Sequence, residues 1–258
     1  MIEVKNISKS YKLNKKQMLK EKSNNKTKIA VLDLSFEAKE NEIFGLLGPN
    51  GAGKTTTLRC IATLLKPTAG EIKVQGYDTV KQSKEVRQRI CFLTNELKLD
   101  EHFSPKYTME YFGKLYGLDD NLINSRRNML FDYFGINEFQ NMKIGELSTG
   151  MKQKLSIAVS LVHDPQVIIF DEPTNGLDII TAKAVTDYLK ELKKQGKIII
   201  ISTHIMSVAE KLCDKVAIII DGEIKSRGTV KEIIKENQSE DLEDAFFEIY
   251  NCAIMGEI

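Results

Sequence analysis

The residues Gly48-Pro49-Asn50-Gly51-Ala52-Gly53-Lys54-Thr55 have the types and spacing of a phosphate-binding loop. The apolar run Ile43-Phe44-Gly45-Leu46-Leu47 leads into them, and a predicted helix follows from Thr56 to about Leu65. Strand, glycine-rich turn and helix are the context such a loop needs. Glycines let the backbone fold back and aim several N–H groups inward. The helix N-terminus adds its own free N–H groups and partial positive charge. Lys54 would reach the β- and γ-phosphates of a nucleoside triphosphate, and the Thr55 hydroxyl would bind Mg²⁺. A dinucleotide turn is a poorer match, because its glycines follow G-x-G-x-x-G, whereas these fall at 48, 51 and 53.

A triphosphate loop also needs a carboxylate for its metal. Val167-Ile168-Ile169-Phe170 is apolar throughout and ends on Asp171-Glu172-Pro173. Ligand sites of parallel sheets lie at the carboxyl ends of such strands. Asp171 would hold Mg²⁺ directly or through water. Successive side chains on extended backbone point apart, so Glu172 can serve a second role: orienting or deprotonating the attacking water. Alone, Asp-Glu after a strand reads rather as a solvated turn. The upstream loop selects the functional reading.

The elements that must position these groups alternate between strand and helix. Ile2–Val4 and Val31–Phe36 alternate apolar and polar residues, as half-buried strands do. Between them, residues 12–28 carry seven lysines against one glutamate, with Asn24-Asn25 as a candidate hairpin tip. That segment reads as a solvated basic loop or as a contact for anionic lipid or an acidic partner. Short strands are predicted at Glu71–Val74 and Ile90–Leu93, with a basic helical stub at Lys84–Arg89 between them. From 97 to 162 the apolar residues recur at helical spacing, and no strand-like run appears. This predicts a helical insert whose aromatic pairs, Tyr111-Phe112 and Tyr133-Phe134 among them, form its core. The α/β rhythm then returns. Helices are predicted at Thr181–Lys194, Ile205–Leu212 and Asp241–Tyr250, and strands at Ile198–Ser202, Val216–Ile220 and Glu223–Ser226. Asp221-Gly222 is a hairpin signal. A mainly parallel sheet covered on both faces follows from this alternation.

Length and composition narrow the class. The 258 residues allow one large domain or two small ones. A formal net charge of +1 supplies no basic field for nucleic acid. No apolar run is long enough to span a membrane, and Met1-Ile2-Glu3-Val4-Lys5 does not begin a signal peptide. Cys60, Cys91, Cys213 and Cys252 lie far apart with no C-x-x-C pair. That argues against a metal or disulfide framework and fits a reducing cytoplasm.

Three further motifs accompany the loop and the carboxylate pair: Leu147-Ser148-Thr149-Gly150-Met151 at a helix start, Gly176-Leu177-Asp178, and Ser202-Thr203-His204 after a strand. On its own, Ser148 reads as a helix N-cap. The ordered set resembles the ATP-binding-cassette (ABC) ATPases from Glu3 to about Tyr250. The resemblance implies an α/β P-loop NTPase with a mainly parallel core sheet, an N-terminal antiparallel β subdomain and a helical insert. It implies a single ABC domain, with 1–96 and 163–258 as the core and 97–162 as the helical subdomain. ATP and Mg²⁺ are the implied cofactors, bound by Gly48 to Thr56. Tyr11, otherwise a packing residue at a strand end, matches the aromatic that stacks on adenine. Ser148 and Gly150 match the signature that closes over the γ-phosphate of the opposite subunit, Asp178 the residue that communicates across the dimer, and His204 the γ-phosphate histidine. Catalysis would then fall to Glu172, His204 and Lys54, and metal binding to Thr55, Asp171 and Asn95.

Two departures stand out. Asn95 occupies the place of the family's usual Gln and is one methylene shorter; Glu96 is the alternative ligand there. The signature reads Ser-Thr-Gly-Met where Ser-Gly-Gly-Gln is commoner, and Met151 lacks the hydrogen bonds of Gln. With Lys152-Gln153-Lys154 following, the variant is similar to sodium-extruding, NatA-like exporter ATPases. The resemblance therefore implies a homodimer on the cytoplasmic face of the membrane, held to a separate multi-span permease, with no nucleic-acid partner. It would power efflux of Na⁺ or a small toxic compound. The alternatives are a soluble ABC-type mechanoenzyme acting on nucleic acid or ribosomes, and a nucleotide sensor that does not hydrolyse. Near-zero charge disfavours the first and Glu172 the second.

Overall fold

The computed structural model describes residues 1–14, 18, 26–94 and 99–255. Two sheets make up its frame. The first is antiparallel: β1 (Ile2–Lys12) pairs with β2 (Thr27–Ala38) and with β4 (Ala69–Val74), and β4 pairs with β5 (Tyr77–Asp78). The second has the order β10-β9-β3-β8-β7-β6. In it β3 (Ile43–Leu47), β6 (Ile90–Leu93), β7 (Val167–Asp171), β8 (Ile198–Thr203) and β9 (Lys215–Ile220) are parallel. Only β10 (Glu223–Thr229) runs antiparallel, returning from β9. Asp221 (φ 50°) and Gly222 (φ 85°) turn that hairpin, as their residue types predict.

The β-branched and apolar runs of the second sheet form strands because both faces are covered. Alternate residues face opposite cores. Phe44, Leu46, Ile169, Ile198 and Ile200 pack with the antiparallel sheet and with α1 (Lys54–Ile61). Ile43, Leu47, Phe170, Ile199 and Ile201 pack with helices on the other side. Those helices include α5 (Thr149–Ser160), α6 (Ile179–Lys194), α7 (Met206–Leu212) and α9 (Leu242–Met255). Phe36 of β2 stacks on Phe44 of β3 at 5.0 Å, joining the two sheets. Gly45 is needed where it stands, since a Cβ there would lie 2.7 Å from Cys213 Sγ at the end of α7.

Among the described residues between β6 and β7 the elements are helical: α3 (Pro105–Leu115), α4 (Asp120–Phe134), two short turns of 3₁₀ helix, then α5. Ser104 and Asp119 cap the first two, accepting from Tyr107 N and Leu122 N. Its apolar pairs divide. Met109, Ile123, Leu130 and Phe134 are buried, whereas Tyr111, Leu115, Leu122, Met129 and Tyr133 are exposed. Adjacent helical residues point about 100° apart, so Tyr111 and Tyr133 turn outward beside half-buried Phe112 and buried Phe134, and at the end of α3 both Leu115 and Tyr116 are exposed. The expectation that the aromatic pairs are wholly core is corrected accordingly.

Other boundaries shift for local reasons. The helix after the loop stops at Ile61 rather than Leu65, because Thr63 takes a left-handed φ of 63°. The stub α2 spans Ser83–Arg87. Helix α6 begins two residues earlier than the periodicity predicts, on the Asp178 cap. Helix α8 (Val230–Glu236) is absent from the sequence reading, although Thr229 and Glu232 form a full capping box. Cys60, Cys91 and Cys213 are buried free thiols, and burial pushes Cys60 up to about 11. Among the described residues no helix is long and apolar enough to cross a membrane.

Candidate nucleotide site

Strand order builds the site. β8 lies between β3 and β7, so the carboxyl ends of three neighbouring strands deliver the glycine loop, His204 and the carboxylate pair side by side. Leu47 is level with Thr203, and Asp171 with Ser202.

The loop is a tight fold of backbone. Gly48, Gly51 and Gly53 all have positive φ. A Cβ on Gly48 would fall 2.1 Å from Ile219 O, and one on Gly53 would fall 2.4 Å from Ala30 O. Only glycine fits both positions. Lys54 is buried, with its ammonium donating to Gly48 O at 2.6 Å and Pro49 O at 3.1 Å. Its nitrogen is 3.8 Å from Glu172 Oε1. Burial lowers the Lys54 pKa, and the carboxylates of Glu172 and Asp171 oppose that shift. Asn50, Gly51, Gly53, Lys54, Thr55, Thr56 and Glu172 line one hollow of about 170 Å³. Pockets that bury a drug-sized ligand run to about 300 Å³ or more, so this hollow is smaller than one that encloses such a ligand. Pro49 and Ala52 hold the turn itself, with Ala52 N donating to Pro49 O.

The carboxylates meet this loop directly. Thr55 Oγ1 donates to Asp171 Oδ1 at 3.1 Å. Ser202 Oγ donates to the same oxygen. Glu172 has a left-handed φ of 56°, a conformation that costs a non-glycine residue energy and clusters at functional sites. Its N–H is shared between Ser202 O and Ser202 Oγ, both at 3.1 Å. His204 Nδ1 lies 2.9 Å from Glu172 Oε1. An ST-turn holds that histidine, with Ile205 N donating to Thr203 Oγ1. Hard cations prefer oxygen ligands. The Thr55 hydroxyl and the Asp171 carboxylate, in contact beside a phosphate-binding loop, have the donor chemistry for Mg²⁺.

The predicted residues therefore separate into groups. Gly48 to Thr56, Asp171, Glu172 and His204 come together. Tyr11 is half-buried at the far end of β1, opposite Lys28, on the hairpin whose Ala30 touches Gly53. Lys9 Nζ sits 5.4 Å over the Tyr11 ring. Ser148, Gly150 and Asp178 form a second group. Ser148 caps α5, accepting from Met151 N. Asp178 caps α6, accepting from the N–H groups of Ile180 and Thr181 and from the Thr181 hydroxyl. The Gly150 Cβ position lies 3.3 Å from Asp178 Oδ2, so the two helix starts abut. Asn95 and Glu96 lie outside the described residues, as do Lys15, Lys16, Lys20, Lys22, Asn24 and Asn25. His163 is held away from the site, stacked on Tyr116 at 3.8 Å with burial lowering its pKa. Sequence reasoning does not single out Ser202 as a site residue. Its signal is a hydroxyl that ends the four-isoleucine run of a fully buried strand.

Comparison with known proteins agrees with this geometry. The ABC transporter family model matches residues 31–175. The chain is 44% identical to the ABC transporter ATP-binding protein NatA of Bacillus subtilis, over 84% of this chain and 89% of that protein. It is 36% identical to the Nod factor export ATP-binding protein I of Burkholderia lata, over 81% of this chain and 68% of that one. A solved ATP-binding cassette, dimeric in a post-hydrolysis state with ADP and Pi bound, superposes with a TM-score of 0.77 at 26% identity, covering 89% of this chain and 98% of that one. A glycine loop, a carboxylate pair and a histidine gathered on three adjacent strands thus accompany whole-domain similarity, and the chain belongs to the ABC transporter ATPase family.

Proposed function

We propose that this chain is the ATP-hydrolysing subunit of a membrane exporter, that it works as a homodimer, and that it drives a separate multi-span permease from the cytoplasmic face. The contact of Lys54, Thr55, Asp171, Glu172 and His204 at one loop carries the reading. Gly48 to Thr56 would cradle the phosphates, Tyr11 would stack on the base, and Thr55 and Asp171 would hold Mg²⁺, with Asn95 as a further ligand. Bound Mg²⁺ supplies charge neutralisation at the transferring phosphoryl group. Lys54 adds positive charge to the same phosphates. Glu172 accepts the proton of a water whose oxygen attacks the γ-phosphorus; the bond to the bridging oxygen breaks, and ADP and phosphate leave. His204, in contact with Glu172 Oε1, steadies that carboxylate and faces the γ-phosphate.

The loop forms only one wall, and the relative named above was solved as a dimer. Ser148 and Gly150 of a second copy would supply the other wall, with Asp178 linking the sites. Residues 97–162 would form the arm that meets the permease. Export is supported by the relative that carries it in its name; Na⁺ or a small toxic compound is the proposed cargo, following the signature variant. The test is ATP turnover with Glu172→Gln. Loss of the base lowers kcat about 10²- to 10⁴-fold, and the variant should elute as a dimer only with ATP. Equal turnover in wild type and variant would remove Glu172 from the chemistry.

A further inference from the structure

Ser202 is fully buried on β8, level with Asp171 in the ladder. A serine hydroxyl has one hydrogen and two lone pairs. Here the hydrogen goes to Asp171 Oδ1, and a lone pair accepts from Glu172 N–H at 3.1 Å. One oxygen atom thus bridges the two carboxylate residues. It holds the side chain of the first and the left-handed backbone of the second, φ 56°.

The two residues also have other partners. Asp171 Oδ1 receives the Thr55 hydroxyl at 3.1 Å, and Glu172 N–H reaches Ser202 O at 3.1 Å. Removing the Ser202 hydroxyl therefore leaves neither group unpaired, so it acts on orientation rather than on folding. The Thr55 contact, moreover, competes with metal binding, because that oxygen is itself a proposed ligand. When it turns to a cation, Ser202 is what remains to hold Oδ1.

We infer that Ser202 is a positioning residue for ATP hydrolysis, setting the Asp171 carboxylate toward the metal and the Glu172 carboxylate toward water through one shared hydroxyl. The inference rests on the hydrolytic reading of this site. Groups that orient metal ligands typically cost about 10- to 100-fold in metal affinity or activity when removed. Ser202→Ala should lower kcat by a factor in that range and raise the Mg²⁺ concentration at half-maximal binding of a fluorescent ATP analogue. Affinity for the analogue without Mg²⁺ should not change, and Ser202→Thr, which restores the hydroxyl, should recover both quantities.

Thermal unfolding of each variant without nucleotide reports whether the fold survives. If Ser202→Ala does not fold, Ser202→Cys, similar in size and a weaker hydrogen-bond donor, is measured in the same way. A folded variant with wild-type kcat and wild-type Mg²⁺ midpoint overturns the inference. So does an equal loss of Mg²⁺-free affinity, which reports general damage to the loop. Failure of the wild type itself to hydrolyse ATP would instead overturn the reading of the site.

Discussion

At the scale of single residues, the site depends on backbone positions where no side chain fits. Gly53 has a φ of 108° and a carbonyl oxygen 2.4 Å from where a Cβ would stand. Gly53→Ala must shift the loop away from Ala30 of β2. Strain of this kind costs about 1–3 kcal/mol. We expect denaturant unfolding to show a loss of that size, with ATP binding lost as well. Unchanged affinity would mean that the loop tolerates the displacement. Lys54 is balanced differently. Its ammonium is buried, opposed by desolvation, and held by two loop carbonyls and a nearby carboxylate.

At the scale of elements, the cap on α6 has a pH signature. Hydrogen bonds from the Thr181 hydroxyl and from the Thr181 and Ile180 N–H groups hold the Asp178 pKa below its ordinary value of 3.8. A depressed carboxylate contributes stability above the unfolded value and loses it as pH falls through the folded one. Asp178→Ala should therefore destabilise at pH 7, as the loss of an N-cap does. The difference from wild type should shrink below pH 3.8, as measured by unfolding across pH. A constant difference would remove charge from the cap.

The strands that build the site were the easiest elements to read. Ile198–Ile201 and Val167–Phe170 are buried on both faces, so their composition alone marks them. The glycine loop is equally plain, because its chemistry is local. Helix faces were harder: Tyr111 and Phe112 are adjacent aromatics, and tertiary packing decides how far each is covered, Tyr111 being exposed and Phe112 half-buried. Helix α8 carried a readable signal in Thr229 and Glu232 that periodicity over seven residues could not show. Ser202 was visible as part of the Ser202-Thr203-His204 motif, but its own role was not. Its partners lie some thirty residues upstream, across a strand neighbour that no pattern along the chain reveals.

At the scale of the whole molecule, one surface stands out. Tyr107, Tyr111 and Leu115 recur every four residues along α3 and are exposed, Tyr111 by 49%. The Phe103 and Tyr107 rings lie 4.6 Å apart at the same end, tilted by 42°. An apolar stripe of this kind suits a protein partner, and it lies within the arm proposed above to meet a permease. Tyr111→Glu should release the chain from membranes that contain the permease while leaving the ATPase rate of the isolated chain unchanged. Retention on those membranes would move the docking face elsewhere. The position of β3 has a separate consequence. The strand that leads into the nucleotide loop is hydrogen-bonded on one side to β8 and on the other to β9. Both partners come late in the chain. A ribosome making this protein at about 5–20 residues per second finishes the loop's residues long before either flanking strand emerges. The nascent N-terminal portion therefore has glycines but no cradle, and ATP cannot assist its early folding. Arrested chains ending at Lys194 should not retain a nucleotide analogue, whereas chains extended past Ile220 and clear of the exit tunnel should. Binding by the shorter chains would show that the loop assembles without its sheet.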